Sequence, residues 1–258
     1  MRKILVLFCL IYLFIPTITQ AKVMEGGIEK TGINGNQVVD KNTNQPVSDA
    51  TVTLPMLQYQ TITDENGIFH LGTKIDGKTV MSVEKEGYRP YSVTIDENSA
   101  SAPIIVGIQK SNANDIQLEN NLMHLGDNNY SRGSANSSDF KIKAIGPVYS
   151  KIFKIQNISN NHFLVLGSII GVDTAIARSM GQNRIVHSYS SPPEIFFNGK
   201  KIAEIHINGD GQKIQIPTNL IRFNQNNELS IRTGKNMVHR AYVDYDDIEI
   251  MNLSIISE

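Results

Sequence analysis

Thr61-Ile62-Thr63-Asp64-Glu65-Asn66-Gly67-Ile68-Phe69-His70-Leu71 reads as strand, tight acidic turn, strand. Asp64, Asn66 and Gly67 are residue types that accept or cap a sharp change of direction. Ile62 before them and Ile68, Phe69 and Leu71 after them supply apolar contacts for flanking strands. The stretch predicts a β-hairpin. Asp64 and Glu65 need no ligand to explain them, because Asx hydrogen bonding in a turn uses these side chains.

Outward from this turn, residues 23–110 alternate short β-like runs with turn residues, and no helical period is sustained there. In residues 50–54, Ala50, Val52 and Leu54 share one face and Thr51 and Thr53 the other, a period of two that buries one side of a strand. Further strands are predicted at 59–63, 68–71, 79–84, 91–95 and 104–109. With the run around Val38 and Val39 they make seven, enough for a β-sandwich.

Four blocks occur in order here: Gly35-x-x-Val38-Val39-Asp40, Thr43-x-x-Pro46-Val47-x-x-Ala50-x-Val52, Thr63-Asp64-Glu65-Asn66-Gly67-x-Phe69 and Val83-x-Lys85-x-Gly87-Tyr88. Together they resemble the carboxypeptidase regulatory-like family across roughly residues 28–110. The resemblance implies a seven-strand, transthyretin- or prealbumin-like sandwich without catalytic residues of its own, which supports a neighbouring domain.

Residues 110–139 turn to Asn, Ser, Asp and Gly, which marks a boundary, and the linker is placed at 111–117. The β-pattern resumes with strands predicted at 140–144, 149–155, 162–171, 194–206, 213–216, 228–233 and 247–255. Residues 163–170 are apolar on both faces, as in a central strand covered on both sides. Asn198-Gly199 between apolar runs predicts a type I′ hairpin. One short helix is expected at 173–180, capped by Asp173.

The runs Phe197-Asn198-Gly199-Lys200-Lys201-Ile202, Ile216-Pro217-x-x-Leu220, Asn227-Glu228-Leu229-Ser230-Ile231-Arg232-Thr233 and Tyr245-Asp246-Asp247-Ile248-Glu249-Ile250 resemble galactose-binding-like jelly rolls. The expected fold class is therefore all-β, two β-sandwich domains. The first spans 22–110 and is prealbumin-like; the second spans 118–258 and is a jelly roll.

The N-terminus carries an address. Arg2 and Lys3 precede the apolar run 4–15, and Thr19-Gln20-Ala21 ends in a small residue, so residues 1–21 read as a signal peptide cleaved after Ala21. The expected location is periplasmic or secreted, with no membrane span after cleavage. The only cysteine, Cys9, lies inside the signal and follows the bulky Phe8, which does not suit a lipid-anchor site. The mature chain then has no thiol chemistry and no disulfide. Cleavage removes Arg2 and Lys3, so the 24 basic side chains fall to 22 against 25 acidic ones. That balance gives no cationic field for nucleic acid.

Chemistry-bearing motifs are absent from the sequence. The histidines His70, His124, His162, His187, His206 and His239 lack close metal spacing, and there is no G-x-S-x-G, Walker or dinucleotide glycine pattern. The expectation is a non-enzymatic chain without an organic cofactor; a hydrolase or lyase using residues 244–247 with His124 or His239 ranks last. Asp127, Asp246 and Asp247, near the first and last strands of the second domain, are candidate oxygen ligands for a structural calcium ion, with Asp139 and Asp244 close by in sequence. The candidate ligand-binding residues are Tyr130, Arg132, Arg178, Arg184, His187 and Tyr189, which offer stacking faces and polar partners in loops. They point to carbohydrate or another cell-surface component as ligand, with a protein partner docked by an edge strand or a sheet face as the alternative. The absence of Trp weakens the sugar reading.

Overall fold

A computed structural model describes residues 29–30, 35–130, 140–156, 161–183 and 188–258. The expected signal peptide lies outside the described residues. The fold is all β, with only short helices among the described residues, and comprises two sandwiches.

The first sandwich contains β1 (Glu29–Lys30), β2 (Asn36–Asp40), β3 (Thr51–Leu54), β4 (Tyr59–Ile62), β5 (Ile68–Phe69), β6 (Thr79–Glu84), β7 (Tyr91–Ile95) and β8 (Ile104–Ile108), with a one-turn helix α1 (Glu97–Ala100) after β7. One sheet has the order β1-β8-β2-β5 and the other β4-β3-β6-β7. Strands β2 and β8 run parallel; the other pairs are antiparallel. Val38, Val52, Leu54, Phe69, Met81, Val83, Ile95, Ile104, Val106 and Ile108 fill the space between the sheets. Removing this apolar surface from water is the main force holding the sheets face to face.

The predicted hairpin at 61–71 is corrected by the pairing. Strand β4 pairs with β3, whereas β5 pairs with β2 in the opposite sheet, so the acidic turn is a corner between sheets. Thr63 explains why the chain leaves its sheet here. Its buried hydroxyl accepts from the Ala50 amide and donates to the Val47 carbonyl, both at 2.8 Å, which ends the β3–β4 ladder with a side chain. The Val38 amide then donates to the Gly67 carbonyl at 2.8 Å and receives the chain into the second sheet. Gly67 sits at φ +70°, and a Cβ there would lie 2.4 Å from the Val38 carbonyl oxygen. Asp64 acts as expected of an Asx turn, accepting from the amides of Asn66 and Ile68.

The second sandwich contains β9 (Ile116–Glu119), β10 (Met123–Leu125), β11 (Val148–Lys154), β12 (His162–Ile170), β13 (Glu194–Phe197), β14 (Lys200–Glu204), β15 (Gly209–Ile216), β16 (Asn226–Arg232) and β17 (Ile248–Ser257). A short helix α2 (Ala175–Ser179) follows β12. The sheets are β10-β17-β12-β15, with β9 also on β17, and β11-β16-β13-β14. Leu125, Leu164, Leu166, Ile195, Phe197, Leu229, Ile231, Ile248, Ile250, Leu253 and Ile255 form the core. The core-facing residues of β17 switch from even to odd numbers at Asn252, whose φ is +57°; β12 switches likewise between Leu166 and Ile169, and the register between the two strands is the same on either side. At the β13–β14 turn, Asn198 and Gly199 have φ of +49° and +75°, as a type I′ turn requires.

Three local expectations are corrected. Residues 140–144 form no strand, because Ala144 donates its amide to the Asn128 side chain and Ile145 donates to the His124 carbonyl. Ile116–Glu119 is already a strand on β17, although 116 and 117 were read as linker. Helix α2 is capped by Thr174, whose hydroxyl accepts from the Ala177 amide; Asp173, expected to cap it, is buried instead.

The outer face of the β4-β3-β6-β7 sheet lies against the outer face of the β10-β17-β12-β15 sheet. Strand β6 is buried on both sides, with Met81 and Val83 in its own core and Ser82 accepting from the Asn252 amide at 2.9 Å. Thr94 donates its amide and hydroxyl to Asp210 across the junction. Gly167 makes the approach close, since a Cβ there would lie 2.5 Å from the Ser92 hydroxyl and 2.7 Å from Cβ of Asn252. Arg89 clamps Asp115 through two bonds of 2.6 and 3.1 Å and fixes the crossing segment to the first sandwich.

Candidate functional site

The long connections of the second sandwich meet at one end, on a frame of acids of which Asp244, Asp246 and Asp247 are buried and Asp127 is exposed. Asp127 accepts from the amides of Asn129 and Tyr245, both at 3.0 Å. Asp244 accepts from the side-chain amides of Asn129 at 2.6 Å and Asn236 at 2.9 Å. Asp246 accepts from the Ser190 hydroxyl at 2.7 Å and the Asp173 amide at 3.3 Å. Asp247 accepts from the Asn128 amide at 3.0 Å. These bonds tie residues 127–129 and 244–247, together with Asp173, Ser190 and Asn236, into one framework.

The acids differ in charge. Burial, and then the neighbouring charges of Asp247 and Asp244, push Asp246 up to about 8 despite its two donors. Burial and the adjacent Asp246 push Asp173 up to about 9. Both are therefore neutral at pH 7. Gly126 is required beside them: it sits at φ +152°, and a Cβ would lie 2.2 Å from the Asp247 carboxylate.

His124 is buried and bonded at both ring nitrogens, Nε2 to Asp247 at 2.7 Å and Nδ1 to the Ile142 carbonyl at 2.6 Å. Both partners are acceptors, so both nitrogens carry a proton and the ring is an imidazolium. Burial works to lower its pKa, but the Asp247 and Ile142 bonds and the nearby Glu249 charge outweigh burial and raise it. Glu249 is raised to about 7 by burial against the opposing charge of His124. A ring used on both sides has no lone pair for a substrate proton, so the His124–Asp247 pair is structural.

The residues expected to bind calcium do come together in sequence-distant loops, since β10 and β17 are neighbours. Asp127, Asp246 and Asp247 do not converge on one centre, however, because each is turned to the donors named above. Among the described residues no three His, Cys, Asp or Glu side chains are grouped to hold a metal ion.

The candidate ligand residues separate into three groups. Tyr130 packs edge-on to Phe140 at 5.3 Å, and Phe140 in turn stacks on His124 at 4.5 Å, so Tyr130 is part of an aromatic wall. Arg178 lies over the Tyr189 ring at 5.1 Å, and the Tyr189 carbonyl accepts from the Met237 amide, which places this pair beside the segment 237–243. Arg132, Arg184 and His187 lie outside the described residues.

A recess that sequence reading did not find opens where the two sandwiches meet. It has a volume of about 730 Å³ and takes residues from both, including Leu57, Thr79 and Thr94 from the first and Phe140, Asp173, Asn183, Asn208 and Asp210 from the second. Some of its polar groups are fully engaged. The Gln182 side chain donates to the Asn208 carbonyl and accepts from the Asn208 amide, the Asn208 side chain makes the same two bonds with the main chain of Val172, and Asp210 holds Thr94. No single-domain motif could have signalled it, because each sandwich supplies only one wall.

Residues 33–120 match the CarboxypepD_reg-like domain. Domains of this family are regulatory, non-catalytic β-sandwiches. The match covers the first sandwich and reaches β9, leaving the second sandwich without a family assignment. No curated protein matches the chain.

Proposed function

We propose that this is a non-catalytic binding protein, directed to the periplasm or exterior by residues 1–21, whose second sandwich recognises a carbohydrate or another cell-envelope component. In this reading the CarboxypepD_reg-like sandwich is a rigid support, and the second sandwich is a jelly roll of the galactose-binding-like kind, as its Asn198-Gly199 hairpin and its 245–250 closing strand suggest. The observation that carries the reading is the ligand-sized recess beside the loop end, lined by polar groups, with the buried His124 committed on both nitrogens. Recesses of this size are typical of small-molecule sites, about 300–1,000 Å³.

The test is a glycan array followed by calorimetry on the full chain, with and without calcium. Saturable binding of a saccharide is the expected result. Failure to bind any saccharide in either condition ends the carbohydrate reading.

A second reading, an assembly protein docking a protein partner, is favoured by one feature. Met237, Val238, Tyr242 and Val243, all in one loop, are each more than half exposed. Apolar side chains grouped in this way commonly mark a contact surface. Replacing Val238 and Val243 by Ser abolishes partner capture in this reading and leaves saccharide binding intact.

A further inference from the structure

We propose that the recess between the two sandwiches is a binding site for a short neutral oligosaccharide, read by Thr79 of the first sandwich and by Asp173 and Asn183 of the second. This rests on the carbohydrate reading above and goes further in naming the surface, the residues and the charge class of the ligand.

The argument begins with hydrogen-bond accounting. Buried polar groups nearly always have partners, and an unpaired one costs about 1–3 kcal/mol. Three residues lining this recess carry buried side-chain polar atoms that have none: the Thr79 hydroxyl, Oδ2 of Asp173, and both the oxygen and the nitrogen of the Asn183 amide. Thr79 and Asp173 are 3% and 2% exposed, so neither is an ordinary surface side chain. They come from opposite walls, which makes the recess a place where both sandwiches leave hydrogen-bonding capacity unspent.

The chemistry of the three groups selects the ligand. A hydroxyl, an amide and a carboxyl kept neutral by its surroundings each donate and accept, as do sugar hydroxyls. The recess also presents Phe140 and Leu57 as apolar surface, suited to the C–H face of a sugar ring. Charged side chains at the same recess are Asp76 and Asp210 against Lys78 and Lys141, so no net field favours an ion. Asp210 is moreover saturated by Thr94. A neutral, hydroxyl-rich ligand satisfies the open groups without adding an unpaired charge.

The rigid junction gives the site its dependence on both sandwiches. Thr79 is in β6, the strand whose Ser82 is bonded to Asn252 of β17, so the two walls are held in register by the interface itself.

The test uses the full chain and soluble gluco-, manno-, galacto- and N-acetylglucosamine-type oligosaccharides, with affinity read by calorimetry. Thr79→Val and Asn183→Ala are each expected to weaken binding about tenfold, the equivalent of one buried hydrogen bond. Asp173→Asn, which keeps a neutral donor and acceptor, is expected to retain binding, and Ile152→Ala, exposed on β11 away from the recess, to leave it unchanged. Thermal melts establish that each variant is folded. A saccharide that binds with the same affinity to Thr79→Val and Asn183→Ala, or that is lost in Ile152→Ala, overturns the recess while sparing the carbohydrate reading. No binding by any of the four sugar types overturns both.

Discussion

The two sandwiches treat buried acids in opposite ways. In the first, Asp40 is only 4% exposed, yet its carboxyl is held below the ordinary carboxylate range. The amide of Thr43 is the main cause; burial opposes it, and the amide of Asn42 and the Tyr88 hydroxyl add to it and outweigh that opposition. In the second, Asp173 and Asp246 are equally hidden and are raised to about 9 and about 8. Low exposure alone does not set the charge of an acid: at Asp40 the donors outweigh burial, whereas at Asp173 and Asp246 burial outweighs them. Asp40 has three donors from a local turn and a neighbouring strand end. Asp173 has an oxygen with none, beside another acid.

The same contrast separates what could be read from sequence. Asp64 and Oδ1 of Asp40 accept from amides two to four residues on, so the turn at 63–67 and the strands around it followed from residue types alone. The seven predicted strands of the first sandwich all form. What local pattern did not reveal was the sheet change at Thr63, because its two partners, Val47 and Ala50, lie 16 and 13 residues away. In the second sandwich nearly every polar contact that matters is distant: Asp247 meets His124 across 123 residues and Thr94 meets Asp210 across 116. An acidic run at 244–247 looks like cation ligands until those partners are known.

The largest test of the local side of this contrast is Gly67→Val. A β-branched residue at φ +70° is strained, and its Cβ would press on the Val38 carbonyl at 2.4 Å, which is backbone and cannot swing away. The expected loss is about 4 kcal/mol of stability, measured by denaturant unfolding. A loss below about 1 kcal/mol would mean that the corner between the sheets can be remade without its glycine.

The distant side is tested by Asp173→Asn as a function of pH. The folded pKa of Asp173, about 9, lies above the ordinary 3.8, so between these values the folded chain binds more protons than the unfolded one. Its contribution to stability is then greatest at acidic pH and is lost as pH rises towards 9. The amide carries no such dependence. Asp173→Asn should therefore stabilise the protein by several kcal/mol at pH 9, and change little at pH 4. Melting temperatures across that range check this; a variant less stable than the parent at pH 9 would place a charged, satisfied carboxylate at Asp173 after all.

The smallest expected effect comes from making the same substitution at the other acid. The folded pKa of Asp40 is depressed, so its stabilisation is present above the unfolded value near 3.8 and is lost as pH falls through the folded one. Asp40→Asn keeps the shape but weakens the bonds from Asn42, Thr43 and Tyr88, each of which now meets a neutral group or an N–H. A loss of about 1.5 kcal/mol is expected at pH 7, shrinking towards zero below pH 3 as the parent Asp40 itself becomes protonated. The pair of variants thus predicts opposite signs and opposite pH slopes from one chemical change. Because the two acids are similarly buried, a shared sign would show that burial, and not the supply of donors, governs both sites.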